Sequence, residues 1–466
     1  MLFKNVDFYC IIILYNILGE IAMVKKIISI FICLALIVSV SLPAKASYTP
    51  ATFSVAAEGV YFANLDTETV IYEKNADQKL YPASLTKIMT AAVVLDECKD
   101  PAGTKVTVSN AALLPLLGTD SSVFNLVEGE ELTVQDLLYI LLVHSANDAA
   151  NVLALHFGNG NISDFITKMN QKATDLGMSG THFVNAHGLH DENHYTTPRD
   201  MYILTKEALK NELFKKIVGT VRYTVPENNK SKARIVATTI FLQDPNSSVQ
   251  SYYYKYASGV KTGYTDEAGR CLISTATKGG VTYLCVLMKS PVYNANRVKI
   301  RQEFTDSKLL YNWAFETFKY RKIYDVNTPI GECPISLGKG TDHVPLVLEK
   351  PISAVLPIEA DESTISMTVN LENNPTEAPI KKGQVLGTAT VSYAGNEIDT
   401  VNVLAMNDVD RSGILAFVNG FMKLFKSKAF KIFIASIVAA ILIFSCWVAY
   451  LNKSRKKRRR RRKRRF

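Results

Sequence analysis

Cysteine is scarce and scattered in this sequence, which has seven cysteines among 466 residues. Three of them lie in apolar segments at the ends of the chain, and the four in the body are widely spaced without a C-x-x-C pair. The pattern fits neither a small disulfide framework nor a zinc site, because both need closely spaced cysteines. Cys271 and Cys285 lie in adjacent strand-like runs, which leaves a disulfide open, although two buried thiols are the simpler expectation.

Acidic residues are absent from the end of the chain, where residues 453–466 contain twelve lysines and arginines. Subtracting these twelve from the formal net charge of +10 leaves −2 for residues 1–452. Nucleic acid is therefore not an expected partner, because it needs a basic patch on a folded face. The hydrophobic share of 48% indicates a folded protein, and the length exceeds one ordinary core, so we expect at least two domains.

The N-terminal region has the pattern of a secretory signal peptide behind a second start site. Met23 precedes a basic pair, an apolar run over 27–42 and an A-x-A cleavage signal that ends at Ala46. We therefore assign residues 1–46 to an N-terminal extension and signal peptide, with Met23 as the expected start. The signal peptide, cut after Ala46, would place residues 47–428 outside the cell.

The body of the chain divides into a mixed segment and an all-β segment. Residues 47–321 alternate helix and strand signals, including an apolar helix over 85–95 and a closing amphipathic helix over 307–320. Residues 322–408 show only short strands between turn residues, which is typical of a small all-β domain. The expected fold class is α+β.

Two membrane-active segments are expected after the all-β domain. Residues 412–428 place apolar side chains on one face with lysines off it, which predicts an amphipathic helix at a membrane interface. Residues 429–451 contain an uncharged run long enough to form a transmembrane helix, and 452–466 form a basic tail. The positive-inside rule places this tail in the cytoplasm, and the signal peptide places the body of the chain outside the cell membrane.

Ser84-Leu85-Thr86-Lys87 places a hydroxyl and an amine one turn apart at the start of the predicted apolar helix. Serine needs an adjacent base to be a nucleophile, and lysine is a base only where burial or a nearby cation favours its neutral form. The apolar residues that follow Lys87 suit this requirement, and a helix N-terminus directs N–H groups at a developing oxyanion. Alone, the string is more simply a helix cap with a solvated lysine.

Ser145-Ala146-Asn147 lies between two predicted helices. The Ser145 hydroxyl can pass a proton to a leaving amine, and the Asn147 amide can hold a carbonyl or a lysine head group. Taken alone, the string is equally explained as a cap of the following helix.

Lys261-Thr262-Gly263 is expected at the end of a strand-like run over 252–260. The lysine and the threonine offer a cation and a hydroxyl to a carboxylate, and the glycine leaves room for a ligand to approach. By itself, this string is also an ordinary turn.

The three strings together predict one active site, because they occur in the order S-x-x-K, S-x-N, K-T-G with room for helices between them. With the longer strings around them, the chain resembles, over residues 52–405, the low-molecular-mass penicillin-binding proteins, specifically the DacA-like serine D-alanyl-D-alanine carboxypeptidases. The strings that carry the resemblance are YPASLTK at 81–87, residues 136–147, NAHGL at 185–189, HYTTPRDM at 194–201 and GVKTGYTDEAGRCL at 259–272.

The resemblance implies a β-lactamase/transpeptidase-like catalytic domain, in which helices pack on an antiparallel sheet, followed by the all-β domain and the transmembrane helix. It implies removal of the terminal D-alanine from peptidoglycan pentapeptides through an acyl-enzyme. The partners that it implies are peptidoglycan stem peptides, β-lactam antibiotics and the bacterial cell membrane. No metal or other cofactor is implied.

Residue roles follow from the same resemblance. Ser84 would form the acyl-ester and Lys87 would be the general base, while Ser145 would relay protons beside Asn147. The groups expected to bind the substrate carboxylate or to form the oxyanion hole are Lys261, Thr262, Gly263 and the backbone N–H groups of Ser84 and Tyr264. Tyr264 stands where histidine is frequent in the family, which leaves a backbone role intact. Thr239-Ile240-Phe241-Leu242 stands where the family often has T-N-x-L, in a loop that the resemblance places near the site. For the arginine that helps to bind the carboxylate, the candidates are Arg297 and Arg301.

Three other functions share parts of this pattern. A β-lactamase has the same three motifs but needs neither an all-β stalk nor a membrane span. A D,D-endopeptidase uses the same chemistry on cross-bridges, and a catalytically silent cell-wall scaffold needs none of it. The four histidines between 182 and 194 suggest a metal site, but no cysteine joins them, and His187 is more simply a structural hydrogen-bonding residue.

Overall fold

The computed structural model describes residues 51–119, 121–247, 249–393 and 395–462. The predicted start and signal peptide, as well as the last residues of the basic tail, lie outside these ranges. The α-helices are α1 (Lys87–Glu97), α2 (Asn110–Leu113), α3 (Val134–Tyr139), α4 (Asn147–Phe157), α5 (Ile162–Asp175), α6 (Pro198–Ala208), α7 (Glu212–Val218), α8 (Gln302–Thr317), α9 (Gly413–Lys426) and α10 (Lys428–Arg462). The strands are β1 (Gly59–Asn64), β2 (Val70–Lys74), β3 (Lys105–Thr107), β4 (Glu131–Thr133), β5 (Arg222–Val225), β6 (Arg234–Ala237), β7 (Ala257–Thr265), β8 (Gly269–Lys278), β9 (Val281–Ser290), β10 (Phe318–Tyr324), β11 (Gly331–Ser336), β12 (His343–Leu348), β13 (Ile352–Pro357), β14 (Ile365–Leu371), β15 (Thr376–Glu377), β16 (Val385–Tyr393) and β17 (Asn396–Ala405).

A five-stranded antiparallel sheet forms the frame of the first domain, in the order β2-β1-β9-β8-β7. Its central strands β8 and β9 are apolar and buried, and they are joined at Gly279-Gly280, where both glycines have positive φ. The edge strand β7 runs from Ala257 to Thr265. The predicted strand over 252–260 is therefore wrong in its bounds, and the K-T-G string lies inside a strand because it continues the ladder with β8.

Helices α1 and α4 pack in the main hydrophobic core of this domain. All residues of α1 from Lys87 to Val94 are buried, which explains why its sequence is almost free of polar side chains. A short 3₁₀ turn over Ala83–Thr86 precedes α1, so Ser84 lies in this turn and not in the first turn of the α-helix. The expectation that Ser84 opens the helix is corrected by this turn, although the spacing to Lys87 remains helical.

The closing helix α8 ends at Thr317, and the chain enters β10 at Phe318. The predicted helix over 307–320 is thus wrong at its end, because Phe318–Tyr324 pairs with β13 and this tertiary pairing overrides the helical pattern. The predicted domain boundary at 322 falls inside β10.

The second domain is built on a six-stranded sheet in the order β14-β16-β17-β12-β11-β15, with an apolar core of its own. The short strands expected over 322–408 are confirmed, and among them are β13, β14, β16 and β17. After it, Ser412 caps α9, whose apolar side chains are exposed, and α10 follows. One helix among the described residues, over Lys428–Arg455, is long and apolar enough to cross a membrane, and it contains the predicted span over 429–451.

The cysteines of the body are buried free thiols. On the β8–β9 ladder, Cys285 pairs with Ser274 and not with Cys271, so the two thiols that the sequence left open for a disulfide are out of register. The expectation of two buried thiols is confirmed.

Candidate active site

The nucleophile turn carries a strained residue directly before Ser84. Ala83 has a φ of +46°, in the left-handed region that residues with a Cβ rarely adopt. Such a conformation costs of order 1–3 kcal/mol and persists only where the surroundings impose it. Ser84 itself is half-buried within this turn.

Lys87 is completely buried and has three polar contacts with other residues. Its Nζ lies 2.8 Å from Ser84 Oγ, 2.6 Å from Asn147 Oδ1 and 2.9 Å from the backbone oxygen of His187. The last two atoms only accept hydrogen bonds, whereas a hydroxyl can donate. Three oxygens around Nζ suit the three N–H donors of an ammonium, and they also suit a neutral amine with two donors and a lone pair facing the serine hydroxyl. Only the second, neutral form can take the serine proton.

The electrostatic environment favours the same protonation state. Burial, together with the positive charge of Lys261, holds the pKa of Lys87 well below the ordinary lysine value, and nearby Asp148 opposes the shift. Asp148 is itself fixed, because its carboxylate accepts hydrogen bonds from the backbone N–H groups of Phe124 and Leu126. Sequence reasoning missed Asp148, although it directly follows the S-x-N string.

The S-x-N string lies at a deformed helix junction. A π-helical turn over Ile140–His144 follows α3 and ends at Ser145, which has a φ of +70°. Asn147 then begins α4 and accepts the hydrogen bond from Lys87. This change of backbone direction lets Ser145 and Asn147 both face the two lysines from one short loop. Such π-helical turns and left-handed residues are frequent at functional sites.

Lys261 brings the edge strand to this loop. Its buried Nζ donates to Ser145 Oγ at 2.7 Å and to the backbone oxygen of Thr262 at 3.0 Å. Burial lowers its pKa to about 7. The Thr262 hydroxyl contacts Thr239 Oγ1 at 2.6 Å. The resemblance placed the string that begins at Thr239 near the site, and the fold brings Thr239 into direct contact with the K-T-G string.

Gly263 allows strand β7 to approach the nucleophile turn. A Cβ at this position would lie 3.0 Å from the Pro82 oxygen and 3.2 Å from the Ser84 nitrogen, tighter than most real contacts. The Tyr264 side chain points elsewhere: it is 43% exposed, and its hydroxyl contacts Asp266 Oδ1 at 2.5 Å. A backbone role for Tyr264 is therefore independent of its side chain.

The two arginines predicted for carboxylate binding lie in different surroundings. Arg301 packs over the Phe241 ring at 5.0 Å and hydrogen-bonds Glu303, whereas Arg297 lies exposed in a turn. Arg270, which the sequence had not suggested, lies on β8 opposite Tyr264 with its guanidinium 5.1 Å from the centre of that ring. The signal for Arg270 was present, since it follows K-T-G within the quoted GVKTGYTDEAGRCL string.

His187 and His194 are buried, and burial lowers the pKa of His187 to about 3 and that of His194 to about 4. His187 contributes its backbone oxygen to Lys87, while its ring Nδ1 accepts from the N–H of Leu189. Among the described residues, no group of three or more His, Cys, Asp or Glu side chains could hold a metal ion.

The structure thus brings the predicted site residues together, with the Ser84 hydroxyl against the Lys87 amine, the Lys261 amine against the Ser145 hydroxyl, and Gly263 against the nucleophile turn. Such an arrangement can deprotonate a serine and attract a carboxylate. These are the requirements of acyl transfer to serine from a peptide with a free C-terminus.

Comparison with known proteins gives consistent matches. A family model described as D-alanyl-D-alanine carboxypeptidase matches residues 44–291, and one described as penicillin-binding protein 5, C-terminal domain, matches 318–411. D-alanyl-D-alanine carboxypeptidase DacF of Bacillus subtilis (strain 168) is 32% identical over 364 residues, covering 78% of this chain and 88% of that protein. D-alanyl-D-alanine carboxypeptidase of Streptomyces sp. (strain K15) is 36% identical over 264 residues, covering 54% and 89%. Penicillin-binding protein 5 from Haemophilus influenzae has a crystal structure that matches with a TM-score of 0.64 and 27% identity, covering 78% of this chain and all of that one. The predicted fold class is confirmed.

Proposed function

Because the chain belongs to the D-alanyl-D-alanine carboxypeptidase family, we propose that it removes the terminal D-alanine from peptidoglycan stem pentapeptides with Ser84 as the nucleophile. The observation that carries the proposal is the 2.8 Å contact between Ser84 Oγ and the buried Lys87 amine, whose pKa is held well below normal. A serine of this kind also forms an acyl-enzyme with β-lactam antibiotics, whose ring resembles the D-alanyl-D-alanine terminus.

Acylation begins when Lys87 Nζ takes the Ser84 hydroxyl proton as Ser84 Oγ attacks the carbonyl carbon of the last peptide bond. The carbonyl oxygen becomes an oxyanion held by the backbone N–H groups of Ser84 and Tyr264. Gly263 is required here, because any side chain would press on the Ser84 nitrogen. Asn147 and the His187 oxygen keep the amine oriented during the transfer.

Collapse of the tetrahedral intermediate breaks the C–N bond and releases D-alanine. The departing amine takes a proton from the Ser145 hydroxyl, which Lys261 holds at 2.7 Å. Ser145 regains a proton from the protonated Lys87, which returns that amine to its neutral form. Water then attacks the acyl-ester with Lys87 again as the base, which restores Ser84 and leaves a tetrapeptide carboxylate.

Carboxylate recognition sets the exopeptidase specificity in this proposal. Lys261 offers a cation that is partly protonated near neutral pH, and Thr262 offers a hydroxyl at the outer face of β7. Of the two predicted arginines, we favour Arg301, since it packs on Phe241 two residues from the partner of Thr262, whereas Arg297 is exposed in a turn.

The C-terminal helices support a membrane-anchored enzyme. The span within α10 is exposed along its length, and the amphipathic α9 precedes it with its apolar side chains uncovered. We place the catalytic domain outside the cell and the basic tail in the cytoplasm, since positive charge flanks the cytoplasmic end of a span.

The test compares the full-length protein in detergent with its Ser84→Ala variant. We expect the wild type to release D-alanine from a synthetic pentapeptide ending in D-Ala-D-Ala, seen by mass spectrometry, and to carry a penicilloyl adduct on the Ser84 peptide. Ser84→Ala should do neither, and full release by this variant would refute the assignment. Rapid penicillin turnover without an adduct would indicate a β-lactamase, and cleavage of cross-linked dimers alone would indicate an endopeptidase. Peptidoglycan binding without release would indicate a scaffold.

A further inference from the structure

A chain of buried hydrogen bonds connects His194 to the residue that precedes the nucleophile. The backbone N–H of Val184 donates to His194 Nδ1 at 3.1 Å, and His194 Nε2 lies 2.8 Å from Thr86 Oγ1. The Thr86 hydroxyl in turn donates to the backbone oxygen of Ala83 at 2.8 Å. Thr86 is fully buried and His194 nearly so, which means that water does not compete for these contacts.

The donor and acceptor of each bond are fixed by the Val184 N–H, which can only donate, and by the Ala83 oxygen, which can only accept. Because Nδ1 accepts from a backbone N–H, the neutral ring carries its proton on Nε2 and donates it to Thr86. That leaves the hydroxyl proton of Thr86 free to point at Ala83. Burial lowers the pKa of His194 to about 4, Asp191 opposes this shift, and His182 and His190 add to it, so the ring is neutral in the working range of the enzyme.

The Ala83 oxygen that receives this bond belongs to the strained residue of the site. It is also pressed from the other side by Gly188, where an added Cβ would fall 1.8 Å from it. A left-handed alanine left to itself would relax toward an ordinary conformation and rotate the Ser84 peptide with it. The Thr86–His194 contact is therefore placed where it can oppose that relaxation.

We propose that His194 is a positioning residue, which acts through Thr86 to lock Ala83 in its left-handed conformation and so to direct Ser84 toward Lys87 and the oxyanion hole. The inference rests on the proposed function of Ser84 and deepens it. The proposal predicts that breaking the His194–Thr86–Ala83 hydrogen bonds slows acylation. The reversible binding of the β-lactam or peptide should stay unchanged, because the groups proposed to hold a carboxylate include neither His194 nor Thr86.

The chain offers a matched control for this idea. Thr90 lies one turn further along α1, is equally buried, and donates its hydroxyl to the Ala186 oxygen at 2.6 Å. It thus makes the same kind of bond, from a buried hydroxyl to a backbone oxygen, but to Ala186 and not to Ala83. Thr90→Val measures the loss of stability and of acylation rate that follows from removing a buried hydroxyl in this region. Thr86→Val measures the same loss together with any misplacement of Ser84.

The experiment measures the acylation rate constant and the reversible dissociation constant of a fluorescent penicillin with the full-length protein, alongside the Tm. Thr86→Val and His194→Leu should each acylate about tenfold more slowly at unchanged dissociation constant. The double variant should be no slower than either single one, because both break one chain. His194→Gln, whose amide can both accept and donate, should recover most of the rate. Thr90→Val should lower the Tm as Thr86→Val does and keep the wild-type rate.

Ala83→Gly supplies an independent arm, since glycine adopts positive φ without strain. Placed in the Thr86→Val background, it should raise the acylation rate by several-fold. The proposal is overturned if folded His194→Leu and Thr86→Val acylate at the wild-type rate, or if Thr90→Val slows as much as they do. Failure of the proposed function has a different signature, since the wild-type protein would then form no adduct at Ser84 at all.

Discussion

Lys261 donates a hydrogen bond to Ser145 across 2.7 Å, and this contact connects strand β7 to the loop that also holds Lys87. Lys87 hydrogen-bonds Asn147, two residues from Ser145, so a single loop contacts both lysines of the site. The two buried amines repel each other as cations, which lowers the pKa of Lys87 further. Burial lowers the pKa of both amines, that of Lys261 to about 7 and that of Lys87 well below the ordinary lysine value, so the site favours Lys87 as the base.

Substrate affinity should depend on the protonation of Lys261. Its pKa of about 7 means that the ammonium present below pH 7 is lost as the pH rises. The KM for a pentapeptide with a free carboxylate should therefore increase above pH 7, approaching about tenfold per pH unit, from steady-state assays between pH 6 and 9. A substrate with an amidated C-terminus provides the control, because its weaker binding should not show this rise. A flat KM for the free acid would contradict the role given to Lys261.

Lys87→Met should remove the base while preserving the volume of the buried side chain. We expect acylation by penicillin to fall by about 10²–10⁴-fold, the usual contribution of a positioned base. Stopped-flow or gel labelling with fluorescent penicillin would measure this. A variant that acylates within threefold of the wild type would show that another group deprotonates Ser84.

The same variant has a thermodynamic readout. In the unfolded chain Lys87 has an ordinary pKa near 10.5, whereas in the folded protein it is well below that value, so the unfolded state binds more protons in between. Stability gained through this group therefore rises with pH and is lost as the pH falls from about 10.5 toward the folded pKa. The wild-type Tm should rise more steeply than that of Lys87→Met between pH 7.5 and 10. Equal slopes would mean that Lys87 is not neutral in the folded state.

The sequence predicted which residues form the site better than it predicted the backbone conformations and distant contacts that position them. The S-x-x-K spacing is local, since one turn suffices to bring Ser84 and Lys87 together, and the order of the three strings carried the rest. The strain at Ala83 and the contact of Thr239 with Thr262 depend on segments distant in sequence, so no local pattern reveals them. The same reason explains the error at Phe318, where pairing with a distant strand ends a helix that its own sequence would continue.

Gly263→Ala should impair catalysis without unfolding the protein. The added methyl would meet the Pro82 oxygen at 3.0 Å and the Ser84 nitrogen at 3.2 Å, which pushes the nucleophile turn away from β7 and widens the oxyanion hole. Loss of one oxyanion donor typically lowers the rate by about 10²–10³-fold, and a partial displacement should cost at least tenfold in kcat. Gly413→Ala, where nothing lies within 4 Å, is the control and should match the wild type. Wild-type kcat in Gly263→Ala would argue against a backbone oxyanion hole at Tyr264.

Truncations should separate the two C-terminal helices by the way in which each binds the membrane. The full chain holds α10, whose span over Lys428–Arg455 is long enough to cross a bilayer, and should remain in the membrane pellet after a carbonate wash. A chain ending at residue 427 keeps only α9, whose exposed Phe417, Phe421 and Phe425 can enter a membrane interface, and carbonate should release it. A chain ending at 411 has neither helix and should be recovered in the soluble fraction with its penicillin labelling intact. Retention of that shortest form in the membrane would mean that a segment before residue 412 anchors the protein, because both C-terminal helices are missing from it.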